Sequence, residues 1–89
     1  MSNSKQKWNY ATVNAWDRDE NEIKVKVHVG DYVSFKSDFE QSGEIIDIDG
    51  KGFGKELTLY REDGFGGEYL RYSKKAWVYE DDCWVEGVL

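Results

Sequence analysis

Between Glu22 and Gly30 apolar and polar residues change places at every step: Ile23, Val25, Val27 and Val29 alternate with Lys24, Lys26 and His28. Successive side chains of a β-strand point to opposite faces, so this spacing buries one face and wets the other. On a helix the same residues would scatter around the axis. Nowhere in the 89 residues does an apolar stripe hold a period of 3.6 for three turns. The chain therefore reads as all-β, and the question becomes how its strands are joined.

Punctuation divides the rest of the chain into further strands. Residues 1–7 are polar and are expected to be a disordered tail. From Trp8 to Trp16 the aromatics Trp8, Tyr10 and Trp16 share one parity, and Ala11, Val13 and Ala15 share the other. Asp17 to Asn21 reads as a polar turn leading into the alternating strand. Gly30-Asp31 breaks that strand, and Val33 and Phe35 alternate with Tyr32, Ser34 and Lys36 in the next. A loop over 37–43, a strand over 44–49, a glycine turn and a strand over 56–61 follow. Beyond a second glycine turn the expectation is a strand over 68–72, one helical turn over 73–75, a core strand over 76–80 and an apolar strand or tail over 83–89.

The two glycine turns repeat each other. At an offset of 12, Gly52, Phe53, Gly54, Glu56 and Tyr60 fall on Gly64, Phe65, Gly66, Glu68 and Tyr72. A phosphate-binding loop would run its glycines into a helix N-terminus, whose free N–H groups hold the anion. Here each Gly-Phe-Gly runs into a strand, with a carboxylate two residues on. The repeat is thus expected to be a pair of turns. With no Pro in the sequence, glycine must supply their sharp bends.

The order from Val29 onward, Val-Gly-Asp-Tyr-Val-Ser-Phe, loop, Gly-Glu-Ile-Ile-Asp-Ile, turn, strand, turn, strand, Ser-Lys-Lys, Trp-Val-Tyr, resembles the SH3-like small barrels of the KOW and Tudor type. The resemblance covers residues 29–82 and implies a five-stranded SH3-like barrel. The strand pair at 8–28 lies outside it and is expected to cover a barrel edge; all of 8–89 would form one domain. Tudor-like barrels cage cationic groups with aromatic side chains between their first and third loops. By position that role falls to Phe39 and Phe65, with Tyr32, Tyr60 or Tyr72 beside them, rimmed by Asp38, Glu40 and Asp63. Of the repeated phenylalanines, Phe65 is expected as the exposed anchor and Phe53 as the barrel plug. KOW-type loops are richer in glycine and basic residues, so Asp38 and Glu40 point away from a ribosomal or RNA-binding role.

Charge and chemistry narrow the function classes. The net charge is −6, unevenly spread: residues 1–28 carry five cations and four anions, 29–61 four and seven, and 62–89 three and seven. An acidic body disfavours binding to phosphates, which runs on Lys and Arg displacing counterions, and suits a basic partner. Glu80, Asp81 and Asp82 form an acidic patch. Cys83 is the single cysteine, so an internal disulfide cannot form. Asp81 and Asp82 beside it would raise its thiol pKa, the opposite of an activated nucleophile. His28, the single histidine, lies on a wet strand face with no orienting partner nearby in sequence. The segment around Asp47 and Asp49 lacks the spacing of a calcium loop. Neither a metal nor a cofactor is expected, and no enzymatic activity.

Four Trp, six Tyr and four Phe exceed what a core of this size readily hides, and exposed aromatics anchor protein interfaces. The expected function is non-enzymatic recognition of a partner protein with a basic surface, as a small regulator or inhibitor, viral or bacterial. The protein would be a monomer or small homo-oligomer. The N-terminus lacks an apolar segment and no apolar run reaches membrane-spanning length, so a cytoplasmic location without membrane contact is expected. The alternative is a nucleic-acid role. It would be direct, with bases stacked on Trp and Tyr beside Lys5, Lys7, Lys24 and Lys26, or inverse, as an acidic mimic that blocks a DNA-binding protein.

Overall fold

The computed structural model describes residues 6–36, 40–50, 54–66 and 73–88. Its strands are β1 (Gln6–Lys7), β2 (Tyr10–Trp16), β3 (Glu22–His28), β4 (Tyr32–Lys36), β5 (Glu40–Gly50), β6 (Lys55–Tyr60), β7 (Lys75–Tyr79) and β8 (Cys83–Val88). A single 3₁₀ turn, Glu80–Asp82, joins β7 to β8, and no α-helix occurs among the described residues. The fold is all-β, as the periodicity requires.

Seven strands form one mixed sheet in the order β3-β2-β8-β4-β5-β6-β7, and β1 adds to β5. Every ladder of the sheet is antiparallel except that between β2 and β8, which is parallel. The path ends at β3 and β7, so the sheet is open. It nevertheless wraps around its core. The Glu80 carboxylate accepts the backbone N–H of Thr12 on β2 at 2.8 Å and that of Lys55 on β6 at 3.2 Å. Those strands stand four places apart in the sheet, so one side chain can reach both only if the sheet curls back on itself.

The inner face carries Ala11, Val13 and Val27 from the N-terminal strands. It also carries Val33, Phe35, Ile45, Ile48, Leu57, Leu59, Ala76 and Cys83 from the others. The N-terminal pair is thus part of the one core. Asn14, almost fully buried on β2, donates from its amide nitrogen to the carbonyls of Asp81 (2.8 Å) and Cys83 (3.1 Å), and its oxygen accepts from Lys24. A buried amide with its bonds made fixes the 3₁₀ turn against β2.

Several boundaries differ from those expected. Gln6 and Lys7, expected in the tail, pair instead with Gly50 and Asp49. The ring of Trp8 then lies over Gly50, where a Cβ would collide with the indole nitrogen. β5 begins at Glu40, absorbing part of the expected 37–43 loop through pairing of Glu40–Glu44 with β4. The helical turn sits at Glu80–Asp82 and not at 73–75, where Lys75 already pairs with Tyr60. The apolar segment from Cys83 is a strand between β2 and β4. The strand expected over 68–72 lies outside the described residues.

Alternation also breaks once inside β5. Ile45 and Ile48, three apart, are both fully buried, and the pairing with β6 slips between Ile45 and Asp47. Ile46 is the extra residue of a β-bulge and is exposed. Beyond it Asp47 and Asp49 are returned to the outer face.

Candidate functional site

Residues directly opposite in an antiparallel pair share a face, so the register assembles the outer surface of β5, β6 and β7 row by row. Glu44, Tyr60 and Lys75 form one row, Asp47, Thr58 and Trp77 the next, and Asp49, Glu56 and Tyr79 the third. Tyr32 on β4 joins the first row opposite Glu44. On β7, Ala76 and Val78 take the inner parity and Trp77 and Tyr79 the outer. These two rings are 60% and 58% exposed. Two large aromatics on one strand, both more than half in water and backed by carboxylates, are unusual in a surface with no partner.

Electrostatics hold this face in place. The Lys7 ammonium lies 2.6 Å from Asp47 and 2.8 Å from Asp49, and those bonds push its pKa above the usual lysine value, Asp47 contributing most. It answers two carboxylates with one charge. The Tyr60 hydroxyl donates to Glu62 at 2.5 Å, which raises the phenol pKa and lowers that of the carboxyl; Lys74, 3.5 Å from Glu62, lowers the carboxyl further.

The expected site residues are distributed differently from the cage. Phe65 is fully buried, against Phe35 with ring centroids 5.5 Å apart, so the exposed anchor is corrected to a core plug. The cause is the segment around it. Phe65 donates its N–H to the Ser73 carbonyl, and Gln41 grips Gly66 twice, accepting from its N–H (2.6 Å) and donating to its carbonyl (3.1 Å). That clamp holds Phe65 and Gly66 against the start of β5 and turns the ring inward. Phe39, Asp38, Tyr72 and Phe53 lie outside the described residues, and Glu40 opens β5 opposite Lys36.

Tyr32 is exposed at the mouth of a groove of about 260 Å³ lined also by Val33, Ser34, Ser42 and Val85. Tyr60 lies on the aromatic face, and Asp63 is exposed in a turn. In the acidic patch Glu80 is a structural cross-link, whereas Asp81 and Asp82 are exposed. Trp77 and Tyr79 were not among the expected site residues, because 76–80 read as a core strand. The signal was present in their shared parity, opposite to that of Ala76 and Val78.

The N-terminal rings are occupied. The Lys55 ammonium lies 3.6 Å from the Tyr10 ring centre and 4.1 Å from that of Trp8, and donates to the Tyr10 carbonyl at 3.2 Å. Lys26 approaches Tyr10 at 4.8 Å, and Trp16 stacks on Trp84 at 5.4 Å.

Cys83 is fully buried, and its thiol is pushed up to about 12 by burial first and then by Asp82 and Glu80. His28 is exposed, with Nδ1 3.8 Å from Asp31. Among the described residues no three His, Cys, Asp or Glu converge on a point where a metal could sit, and no helix is long and apolar enough to cross a membrane. Comparison of the chain with protein-family models, curated proteins and solved structures finds no match.

Proposed function

We propose that the chain is a non-enzymatic recognition module that binds a protein with a basic surface through the outer face of β5, β6 and β7. The observation that carries this reading is the exposure of Trp77 and Tyr79 beside Asp47, Asp49 and Glu56. Rings with one face free supply affinity, and carboxylates around them attract Lys and Arg and speed encounter. Tyr60 and Tyr32 extend the same face.

The same proposal takes the unit β4 to β8 as an SH3-like small barrel. Its support is the strand order β8-β4-β5-β6-β7, a long β5 shared between neighbours, and the single 3₁₀ turn before the last strand. The binding face is then a strand face, and the loop cage of Tudor-type barrels is not used, because Phe65 is a core residue. Base stacking at the N-terminus has less support: Trp8 and Tyr10 already carry Lys55, and Lys7 is held by two aspartates.

The test is a titration of a Lys/Arg-rich peptide, followed by tryptophan fluorescence, against wild type and the Trp77→Ala/Tyr79→Ala variant. Loss of the two rings should weaken binding by at least about fivefold, the equivalent of 1 kcal/mol. Trp16→Ala, on β2, should bind as wild type. Equal affinity in the wild type and the double variant would sink the assignment of this face.

A further inference from the structure

The open sheet has two ends, β3 and β7, and they are built differently. An edge strand presents unpaired backbone N–H and C=O groups that can template pairing with another strand, and charged side chains are a common guard against it. β3 is guarded: Lys24 and Lys26 stand on its exposed face, and antiparallel pairing of β3 with itself about Val25 would set Lys24 of one copy against Lys26 of the other. β7 has no such guard at its centre. Among the described residues no strand lies on its outer edge, and its middle exposed side chain is Trp77.

The sequence around β7 is complementary to itself when reversed. It begins Ser73-Lys74-Lys75 and ends Glu80-Asp81-Asp82, with Ala-Trp-Val-Tyr between. Antiparallel pairing about Trp77 puts Trp77 opposite Trp77 of the second copy, Ala76 opposite Val78, and Lys75 opposite Tyr79. Lys74 then stands opposite Glu80, and Lys75 lies diagonal to Asp81, so the basic start of each strand is near the acidic end of the other. Aromatic pairs and opposite charges across strands each stabilise a sheet, and Trp77 against Trp77, Ala76 against Val78 and Lys75 against Tyr79 are all of a favourable kind. Lys74 is only loosely held by Glu62 at 3.5 Å; Glu80, opposite it, keeps its bonds to Thr12 and Lys55 of its own copy, so the acidic charge free at the strand end is that of the exposed Asp81 and Asp82.

We propose that two copies of this chain associate about a two-fold axis by antiparallel pairing of β7 with β7, which makes one continuous sheet of the two. Such an interface is isologous and closes at two copies, since each edge is used up by the other. The sheet face bearing Tyr79 and Trp77 remains open, so the dimer would join two aromatic–acidic faces into one. The inference shares Trp77 with the proposed partner face but is read separately, since self-association is measured with no partner present.

The experiment is the solution mass of the full chain by light scattering or sedimentation, from about 10 μM to about 1 mM, where modest affinities register. The mass should rise from 10.4 kDa toward twice that value. Trp77→Lys sets two cations on the axis and should stay monomeric, with circular dichroism confirming that it folds. Lys74→Glu/Lys75→Glu and Asp81→Lys/Asp82→Lys should each stay monomeric alone, through like charges at both ends, and form a mixed dimer when combined. Lys24→Ala/Lys26→Ala, at the other edge, should dimerise as wild type does. A monomeric wild type throughout, a Trp77→Lys variant that dimerises normally, or a mixture that fails to pair would each overturn the proposal.

Discussion

Phe65 and Gly43 make one packing unit. A Cβ on Gly43 would lie 2.8 Å from Cζ of Phe65 and 3.0 Å from the Tyr60 carbonyl oxygen, so the glycine is what lets the ring pass under β5. Phe65→Ala should cost about 3–5 kcal/mol of stability, as expected for a large buried ring with no neighbour able to collapse into its place. Gly43→Ala should cost about 1–3 kcal/mol through overpacking. Urea unfolding of both variants checks this, and a near-neutral Phe65→Ala would contradict the plug. Cys83 offers a second measurement at this scale. Its thiol titrates at about 12 in the fold against 9.0 ordinarily, so the neutral form is the one the fold favours. That contribution is complete below pH 9.0 and is lost as pH rises toward about 12. At pH 8 alkylation by iodoacetamide, followed by mass spectrometry, should be far slower in native protein than in urea; equal rates would show the site to be open.

The elements are tied together by a few polar side chains as much as by their ladders. Glu80 holds β2 and β6 to the 3₁₀ turn through Thr12 and Lys55. Glu80→Ala leaves two partly buried N–H groups without their acceptor and should cost about 1–3 kcal/mol in urea unfolding, while Glu80→Gln, which keeps one oxygen, should cost less. Equal stability of all three proteins would deny the cross-link. What was legible in the sequence follows from which features are local. The alternations of β3, β4 and β6 were readable because each is a period-two pattern within a few residues. The bulge at Ile46 was not, since only the register with β6 reveals which residue is extra. The sequence suggests a helical turn at Ser73-Lys-Lys because the three charged residues Glu80–Asp82 read as an exit, and their role depends on Asn14 and Thr12, almost seventy residues away. In the glycine-rich connections the left-handed residues among those described are Gly54 (φ 63°) and Gly64 (φ 83°), whereas Gly52 lies outside the described residues and Gly66 serves as the partner of Gln41. Of the aromatics along the outer face of β4 to β7, Tyr60 and Tyr32 stand out in the sequence as companions of a loop cage, whereas Trp77 and Tyr79 are hidden by a strand that reads as core.

At the scale of the molecule, the N-terminal hairpin decides whether the rest can stand alone. An SH3-like reading of 29–82 suggests a separable barrel with β2 and β3 as a cover. The packing argues otherwise. Ala11, Val13 and Val27 belong to the same buried cluster as Val33, Phe35 and Cys83. β8 takes its second neighbour from β2, and the Asn14 amide is bonded to the carbonyls of Asp81 and Cys83. Removing residues 1–29 would uncover Cys83 and Val33, leave those carbonyls unanswered, free one of the two backbone bonds of Glu80, and expose β8 as an unguarded edge carrying Trp84. For a chain this short, total stability is only of the order of 5 kcal/mol, and losses of this kind exceed it. A protein of residues 30–89 should therefore lack a cooperative unfolding transition by circular dichroism and should aggregate on a sizing column. The full chain should unfold in one step, with fluorescence and circular dichroism coincident. A truncated protein that melts cooperatively near the wild-type temperature would show that the hairpin is an accessory, and that the parallel β2–β8 junction contributes little to holding the sheet together.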